Sequence, residues 1–452
     1  MFAFFLFITI ACSAVSLHSG AQQQPITTTT EQPAPLLLSS HAKQYSKVKM
    51  VMLHIGQNAA VSNIAKMIHF DLEFSDQIAI DLKKTTAIPT APQAAALGKQ
   101  AYTLMLTLEE KSLNKKNKAA DIEINLKDPA TNQSFFCKNY TCHEHNIIQQ
   151  GHQIADDLMP TLTGDTGPML STLAYCKQLS NNHKVVCIAD YACRLEKPVV
   201  TARTINIAPA WHTKAPGLCY SQFTRTNSRL MFVDLTTNKH NIVCSYDGLN
   251  MQPSFSEDGS QAALCLSGKG NSEIYLYDQA FCKTLGKKTF KQLTDNKGNN
   301  VSPCLLDAGD LVFCSDFQTG SPQIYLKKTL TGDVIRLTSG KGYCASPNYN
   351  PATKQLVYTR YATGAFQLWS MDLSSEHRHE KQLTFNAGDK LEPSWSACGK
   401  YVAFTYAKYD GKLKKRMSQI AILNTQSSNI RILTTTPELK SFPSWTGRNL
   451  YA

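Results

Sequence analysis

Residues Lys47 to Ile55 (KVKMVMLHI) are almost continuously apolar, the pattern of a strand covered on both faces. Val61, Ile64, Ala65, Ile68 and Leu72 then recur at helical spacing and predict an amphipathic helix against that sheet. Tyr102, Leu104, Leu106 and Leu108 alternate with smaller or polar residues, and Ile122, Ile124 and Leu126 alternate with Glu123, Asn125 and Lys127. These segments predict two half-buried strands joined by a polar, Lys-rich loop over 109–120. A closing helix is predicted from Glu144 to Leu158, with Ile147, Ile154, Ala155 and Leu158 on one side and Pro160 ending it. Residues 47–164 therefore read as a small domain with a mixed sheet.

Beyond residue 200 one phrase recurs: proline, a small or aromatic pair, a turn, then an apolar strand. Its structural anchors are Pro209, Pro253, Pro303, Pro347, Pro393 and Pro443, at intervals of 44, 50, 44, 46 and 50 residues. Each unit also carries an alternating strand, such as EIYLYD (273–278) or QLWSMD (367–372). Most close on a Leu-Thr pair, at Leu293-Thr294, Leu337-Thr338, Leu383-Thr384 and Leu433-Thr434. A period of ~40–50 residues with short strands and Gly or Asp turns is the signature of a β-propeller blade. One four-stranded sheet cannot bury both its faces alone. Stacking such sheets radially buries them all, and closing the ring removes the exposed ends.

The sixth unit stops after one strand at Ala452, so its other strands are expected from LAYC (173–176), KVVCIA (184–189) and VVTARTI (199–205). The expected fold class is multidomain, α/β plus all-β. A small N-terminal mixed α/β domain (47–164) precedes a six-bladed β-propeller (165–452) closed by N- and C-terminal strands in one blade.

Residues 1–17 (MFAFFLFITIACSAVSL) carry no charged side chain, and Ser19, Gly20 and Ala21 follow. Residues 1–21 thus read as a secretory signal peptide, with an uncleaved anchor as the alternative. Residues 22–46 are rich in Gln, Thr, Pro and Ser, too poor in large apolar groups to fold alone, and read as a flexible tail whose apolar cluster is Leu36, Leu37 and Leu38. No later apolar run approaches the ~20 residues of a spanning helix, so no membrane span is expected in the mature chain.

Lys+Arg 46 against Asp+Glu 34 leaves a net charge of +12, dilute over 452 residues, which argues against nucleic acid as a partner. The basic residues Lys408, Lys412, Lys414, Lys415 and Arg416 read as a loop within one blade, either a solvated tip or a patch for an acidic partner.

Motifs for chemistry are missing from the sequence. It contains no G-x-S-x-G elbow, no P-loop and no H-E-x-x-H, and no enzyme activity or cofactor is expected. The metal-like cluster is Cys137, Cys142, His143 and His145, whose residue types suit zinc but whose spacing matches no strong zinc pattern. A Cys137–Cys142 disulfide and free thiols are the other readings. Of the fourteen cysteines, Cys219, Cys265 and Cys314 fall where Tyr358 and Phe404 stand in other units, and read as small core residues. Trp211, Trp369, Trp395 and Trp445 also occupy repeat positions and read as core.

The repeats PSFSEDG (253–259) and PSWSACGKYVAF (393–404) resemble those of the TolB family, periplasmic propeller proteins of the bacterial Tol-Pal envelope system. His152 to Asp156 (HQIAD), Leu162-Thr163-Gly164 and Leu173-Ala174-Tyr175 resemble the corresponding regions of that family. The resemblance implies a non-enzymatic periplasmic adaptor. Its propeller would bind the peptidoglycan-associated lipoprotein Pal, and its N-terminal tail would contact TolA, serving outer-membrane integrity and envelope constriction during cell division. The unusual tail over 22–46 bears on the TolA contact. The alternative is a secreted propeller binding a small molecule, glycan or metal in its central channel, with or without hydrolytic activity.

Overall fold

The computed structural model describes residues 47–450, apart from 56–58, 100–101, 115–118, 165, 269, 279–288, 308, 341, 376–377 and 412–413. The expected signal (1–21) and tail (22–46) lie outside the described residues.

The N-terminal part comprises β1 (Val48–Ile55), α1 (Ala59–Phe74), β2 (Ile78–Thr85), α2 (Ala91–Lys99), β3 (Leu104–Asn114), β4 (Ala119–Lys127), β5 (Ser134–His143), a 3-10 turn (Glu144–Asn146) and α3 (Ile147–Thr163). Its five strands run in the order β2-β1-β3-β4-β5; β1 is parallel to both neighbours, and the remaining pairs are antiparallel. The unbroken apolar run of β1 is explained by cover on both faces. Met50 and Met52 point to α1 and α3, while Val51 and Leu53 pack with Ala94 of α2. The two long helices approach closely at Gly151, where a Cβ would lie 2.5 Å from Met67 Cβ.

Three elements here escaped the periodicity: β2, α2 and β5. Their stripes are weak because β2 and β5 are edge strands with mostly exposed side chains. Two expectations are corrected. The loop expected over 109–120 is shorter, because β3 continues as an edge-like ribbon to Asn114. Pro160 does not end the last helix, which runs on to Thr163 and stops at left-handed Gly164. Thr163 Oγ1 donates to Met159 O at 2.9 Å within this final turn.

From residue 172 onward the described strands pair antiparallel, apart from one bridge between the seventh and ninth strands. The strands are β6 (Thr172–Ser180), β7 (His183–Asp190) and β8 (Glu196–Val200), then β9 (Ile205–Trp211), β10 (Gly217–Phe223), β11 (Ser228–Asp234) and β12 (Lys239–Cys244). The next sheet holds β13 (Asn250–Phe255), β14 (Gln261–Leu266), β15 (Glu273–Asp278) and β16 (Phe290–Gln292). Another holds β17 (Asn300–Leu305), β18 (Leu311–Ser315), β19 (Gln323–Lys327) and β20 (Val334–Arg336). A third holds β21 (Cys344–Asn350), β22 (Gln355–Ala362), β23 (Ala365–Asp372) and β24 (Glu380–Gln382). A fourth holds β25 (Asp389–Trp395), β26 (Tyr401–Asp410), β27 (Lys415–Asn424) and β28 (Ile430–Ile432), followed by β29 (Lys440–Thr446).

The last strand, β29, pairs antiparallel with β6, so the chain end joins strands that precede the first complete repeat. The group β29-β6-β7-β8 touches the group β9-β10-β11-β12 through one parallel bridge, Lys184 to Ile205.

Hydrogen bonding accounts for the recurring Leu-Thr pair. Thr294, Thr338, Thr384 and Thr434 each accept the N–H of the third strand, from Ile274, Ile324, Leu368 and Ile420, at 2.9 to 3.1 Å. Each hydroxyl also donates to the preceding side chain, Glu273, Gln323, Gln367 or Gln419. A second rule lies three residues before the anchor proline. Asn206, Asn250, Asn300, Lys390 and Lys440 each turn a side-chain donor back onto acceptors two and four residues earlier. All five are buried, and these bonds satisfy groups that would otherwise be costly inside.

Strand register corrects the alignment of the cysteines. In the second strand of each group, the residue following the partner of the position after proline is Tyr175, Tyr220, Leu264, Phe313, Tyr358 or Phe404. Cys219 comes one place earlier, and Cys265 and Cys314 one place later. All three are nonetheless buried core residues. Counted from the anchor proline, Cys219 and Cys265 lie ten and twelve residues on, against eleven for Tyr220, Leu264, Tyr358 and Phe404; only the third unit has a turn one residue shorter, which puts Cys314 at eleven.

The α/β part packs onto the propeller sheets through one continuous core. Phe74 meets Tyr191 edge-on at 5.0 Å and Tyr401 at 5.3 Å, and the Arg431 guanidinium lies over it at 4.9 Å. Arg431 also donates to Glu73 O at 2.6 Å and pairs with Asp76 at 3.2 Å. At the centre, His152 Nδ1 is 2.7 Å from Asp71 and Nε2 is 2.9 Å from Asp190, all three side chains being buried.

Candidate functional site: the axial channel and its mouth

Ala208, Gln252, Ser302, Ser346, Glu392 and Phe442 all have left-handed backbones, with φ between 52° and 55°. Each stands directly before an anchor proline. The ladder slips at these dipeptides, for example between Met251 and Ser254 or between Leu391 and Ser394, leaving both residues unpaired on the inner strand. Proline suits this bulge because it has no N–H to lose. A left-handed backbone costs a non-glycine residue ~1 kcal/mol or more, so six repetitions mark a shared structural demand.

These dipeptides line a narrow axial cavity of about 160 Å³. The six proline anchors therefore lie together at the axis, although they are spread over 234 residues of sequence. Glu392 is the ionisable side chain among the described lining residues. Burial pushes its carboxyl up, opposed by the Thr405 hydroxyl at 2.7 Å and the Phe442 N–H at 2.7 Å.

The turns after the inner strands surround a wider mouth of about 930 Å³. Its walls include Trp211, Trp395 and Trp445. Trp211 Nε1 donates to Ser444 O at 2.9 Å and Trp445 Nε1 to Ser171 at 2.6 Å, whereas Trp395 Nε1 is buried without a partner among the described residues. Charges of both signs ring the opening. Hydroxyls of Ser256 and Ser260 hold the Asp258 carboxyl down at about 2, and Asp307 pairs with Lys354. Arg448 reaches across to the carbonyls of His212, Lys214 and Ala215, fastening the residues after β29 to the first complete sheet. The opening thus combines aromatic walls with charges of both signs.

Residues 159–449 match the family described as the TolB beta propeller domain. The chain belongs to this TolB family. It is similar to the Tol-Pal system protein TolB of Francisella tularensis subsp. mediasiatica, 26% identical over 391 residues that cover 84% of this chain and 85% of that protein. The Helicobacter pylori Tol-Pal system protein TolB is 28% identical over 244 residues, covering 52% of this chain and 56% of that protein. The crystal structure of TolB from Acinetobacter baumannii has the same fold, with a TM-score of 0.76 at 23% identity over 90% of this chain and 98% of that one.

In this TolB-family chain the metal-like cluster does not assemble. Cys137 and Cys142 are free thiols on one strand, β5, the first exposed and the second buried. Five residues of strand span roughly 16 Å, far beyond the ~7 Å limit for bridged Cα atoms, so the Cys137–Cys142 disulfide is corrected. His143 and His145 lie ring to ring at 5.4 Å, and no group of three or more His, Cys, Asp or Glu side chains converges among the described residues. Of the basic run, Lys408, Lys414, Lys415 and Arg416 fall at or beside the β26–β27 hairpin, where Arg416 pairs with Asp389, while Lys412 lies outside the described residues. The six left-handed residues lining the cavity and the His152 cluster are not legible in the sequence. Only the prolines hinted at the first, and nothing local marks the second.

Proposed function

We propose that this chain acts as a non-enzymatic periplasmic adaptor of the Tol-Pal system, exported by residues 1–21. On this reading the propeller mouth engages Pal and the 22–46 segment engages TolA, so that one molecule serves envelope integrity and constriction at division. The observation that carries the proposal is the match to the TolB propeller family over 159–449, together with relatives that are Tol-Pal system proteins. Counting β29-β6-β7-β8 as one blade gives six blades over 165–452 behind an α/β domain at 47–164, and the β29–β6 pairing and the six-sided axial lining support a ring closed there. Among the described residues no helix is long and apolar enough to cross a membrane.

The test is calorimetry of the purified chain against Pal and TolA from the same source, repeated with residues 22–46 deleted. The deletion should abolish TolA binding and leave Pal binding intact. A charge reversal at the mouth, Asp307→Lys, should weaken Pal at least tenfold. Absence of Pal binding by the full chain would overturn the adaptor reading.

A further inference from the structure

The seams between neighbouring four-stranded groups are not packed alike. At each seam, one second-strand residue faces the preceding group, at the register position identified above. Five of the six are aromatic and essentially inaccessible: Tyr175, Tyr220, Phe313, Tyr358 and Phe404. Each anchors a local core, as Phe313 does with Ala263, Ile274 and Tyr325, and Phe404 with Val357 and Leu368. The sixth is Leu264, at the seam between β9–β12 and β13–β16.

A cavity of about 320 Å³ opens at that seam. Leu264 lines it, only 1% exposed, at the position where the other seams place a ring. Cys219, Leu230 and Phe232 form one wall, and Leu264, Tyr277 and Phe290 the other. No described lining residue is Asp, Glu, Lys or Arg. His212, at one end, accepts the backbone N–H groups of Lys214 and Ala215 on Nδ1 at 3.1 and 2.9 Å, and burial lowers its pKa, so its ring is neutral. The Gln261 amide is engaged by Asp278 at 2.6 Å. The entrance passes Ile242, which is 50% exposed.

We propose that this inter-sheet cavity is a second binding site, separate from the axial channel, for a compact, uncharged, largely aromatic or aliphatic small molecule. Its volume lies at the lower end of the ~300–1,000 Å³ range of ligand pockets. Clefts of this size lined mostly by apolar and aromatic side chains are the usual form of small-molecule sites. The uncharged wall excludes ions and zwitterions, because it cannot repay their desolvation.

The test uses the neutral fluorophore N-phenyl-1-naphthylamine, titrated into the full chain. The expected result is one saturable site per chain with micromolar affinity. Leu264→Tyr, which supplies the ring found at the other seams, should weaken that affinity at least tenfold. Ile242→Lys places a charge at the entrance on an exposed strand position where folding is undemanding, and should do the same. Absence of saturable binding by the unaltered chain, or equal affinity in the folded variants, would overturn the proposal. Should Leu264→Tyr fail to fold, Ile242→Lys alone decides.

Discussion

Replacing His152 by alanine tests what holds the two parts of the molecule together. The imidazole bridges Asp71 of α1 and Asp190 at the end of β7, with side-chain exposures of only 4%, 0% and 4%. Asp71 also accepts the Tyr191 hydroxyl at 2.5 Å, and Asp190 accepts the N–H groups of Arg194 and Leu195 at 2.6 and 2.7 Å. Both carboxylates would therefore stay in place after the imidazole is gone, facing each other without their shared cation. Breaking a buried ion pair by removing one partner costs about 3–5 kcal/mol, whereas an exposed pair costs under ~1 kcal/mol.

The same cluster sets a pH dependence. Burial pulls the His152 pKa down, but the bonds to Asp190 and Asp71 outweigh it and push it up to about 9. With the folded value above the unfolded ~6.5, the stabilisation is fully present below pH 6.5 and disappears as pH rises through 9. The shift corresponds to about 3 kcal/mol. Asp156 on the same helix, raised to about 6 by burial and by Asp157 and Asp71, titrates in a lower window and does not obscure this one. Urea unfolding at pH 6 and pH 10 should show wild type losing about 3 kcal/mol more than His152→Ala, because Lys390 and the buried cysteines titrate alike in both proteins, so that the two converge at high pH. Equal losses in both proteins, or a variant destabilised by less than ~1 kcal/mol at pH 6, would refute the reasoning.

Deleting residues 440–452 removes β29 and with it the buried Phe442 and Trp445. At ~3–5 kcal/mol per large aromatic and ~2–4 °C per kcal/mol, calorimetry should show the melting temperature falling by more than ~10 °C, and an unchanged value would contradict closure by that strand. Thr384→Val removes the acceptor for Leu368 N–H at 2.9 Å and the donor to Gln367 at 2.7 Å. It should cost about 1–3 kcal/mol in urea unfolding, with Thr384→Ser close to wild type. Exposed Cys137 should react with a thiol reagent in the native protein, whereas buried Cys142, whose pKa burial pushes up to about 12, should react only after unfolding. Resistance of Cys137 in unreduced protein would restore the disulfide.

The sequence by itself determined whatever depends on a repeated local rule. Proline recurs because each inner strand carries a bulge that lacks a ladder N–H, and Leu-Thr recurs because its hydroxyl ties the fourth strand to the third. Both rules act within a single blade, so spacing along the chain exposes them. Weak edge strands such as β2 and β5 left no apolar stripe to read. Which face each cysteine takes required the pairing register, since residues one place apart on a strand point to opposite faces of the sheet. Counting from the anchor proline already sets Leu264 level with Tyr220, Tyr358 and Phe404, but only the tertiary structure decided that this position faces the neighbouring sheet, and that His152 meets acids 81 and 38 residues away. Packing and buried charge pairing are set by distances in space, and one chain read in order does not contain them.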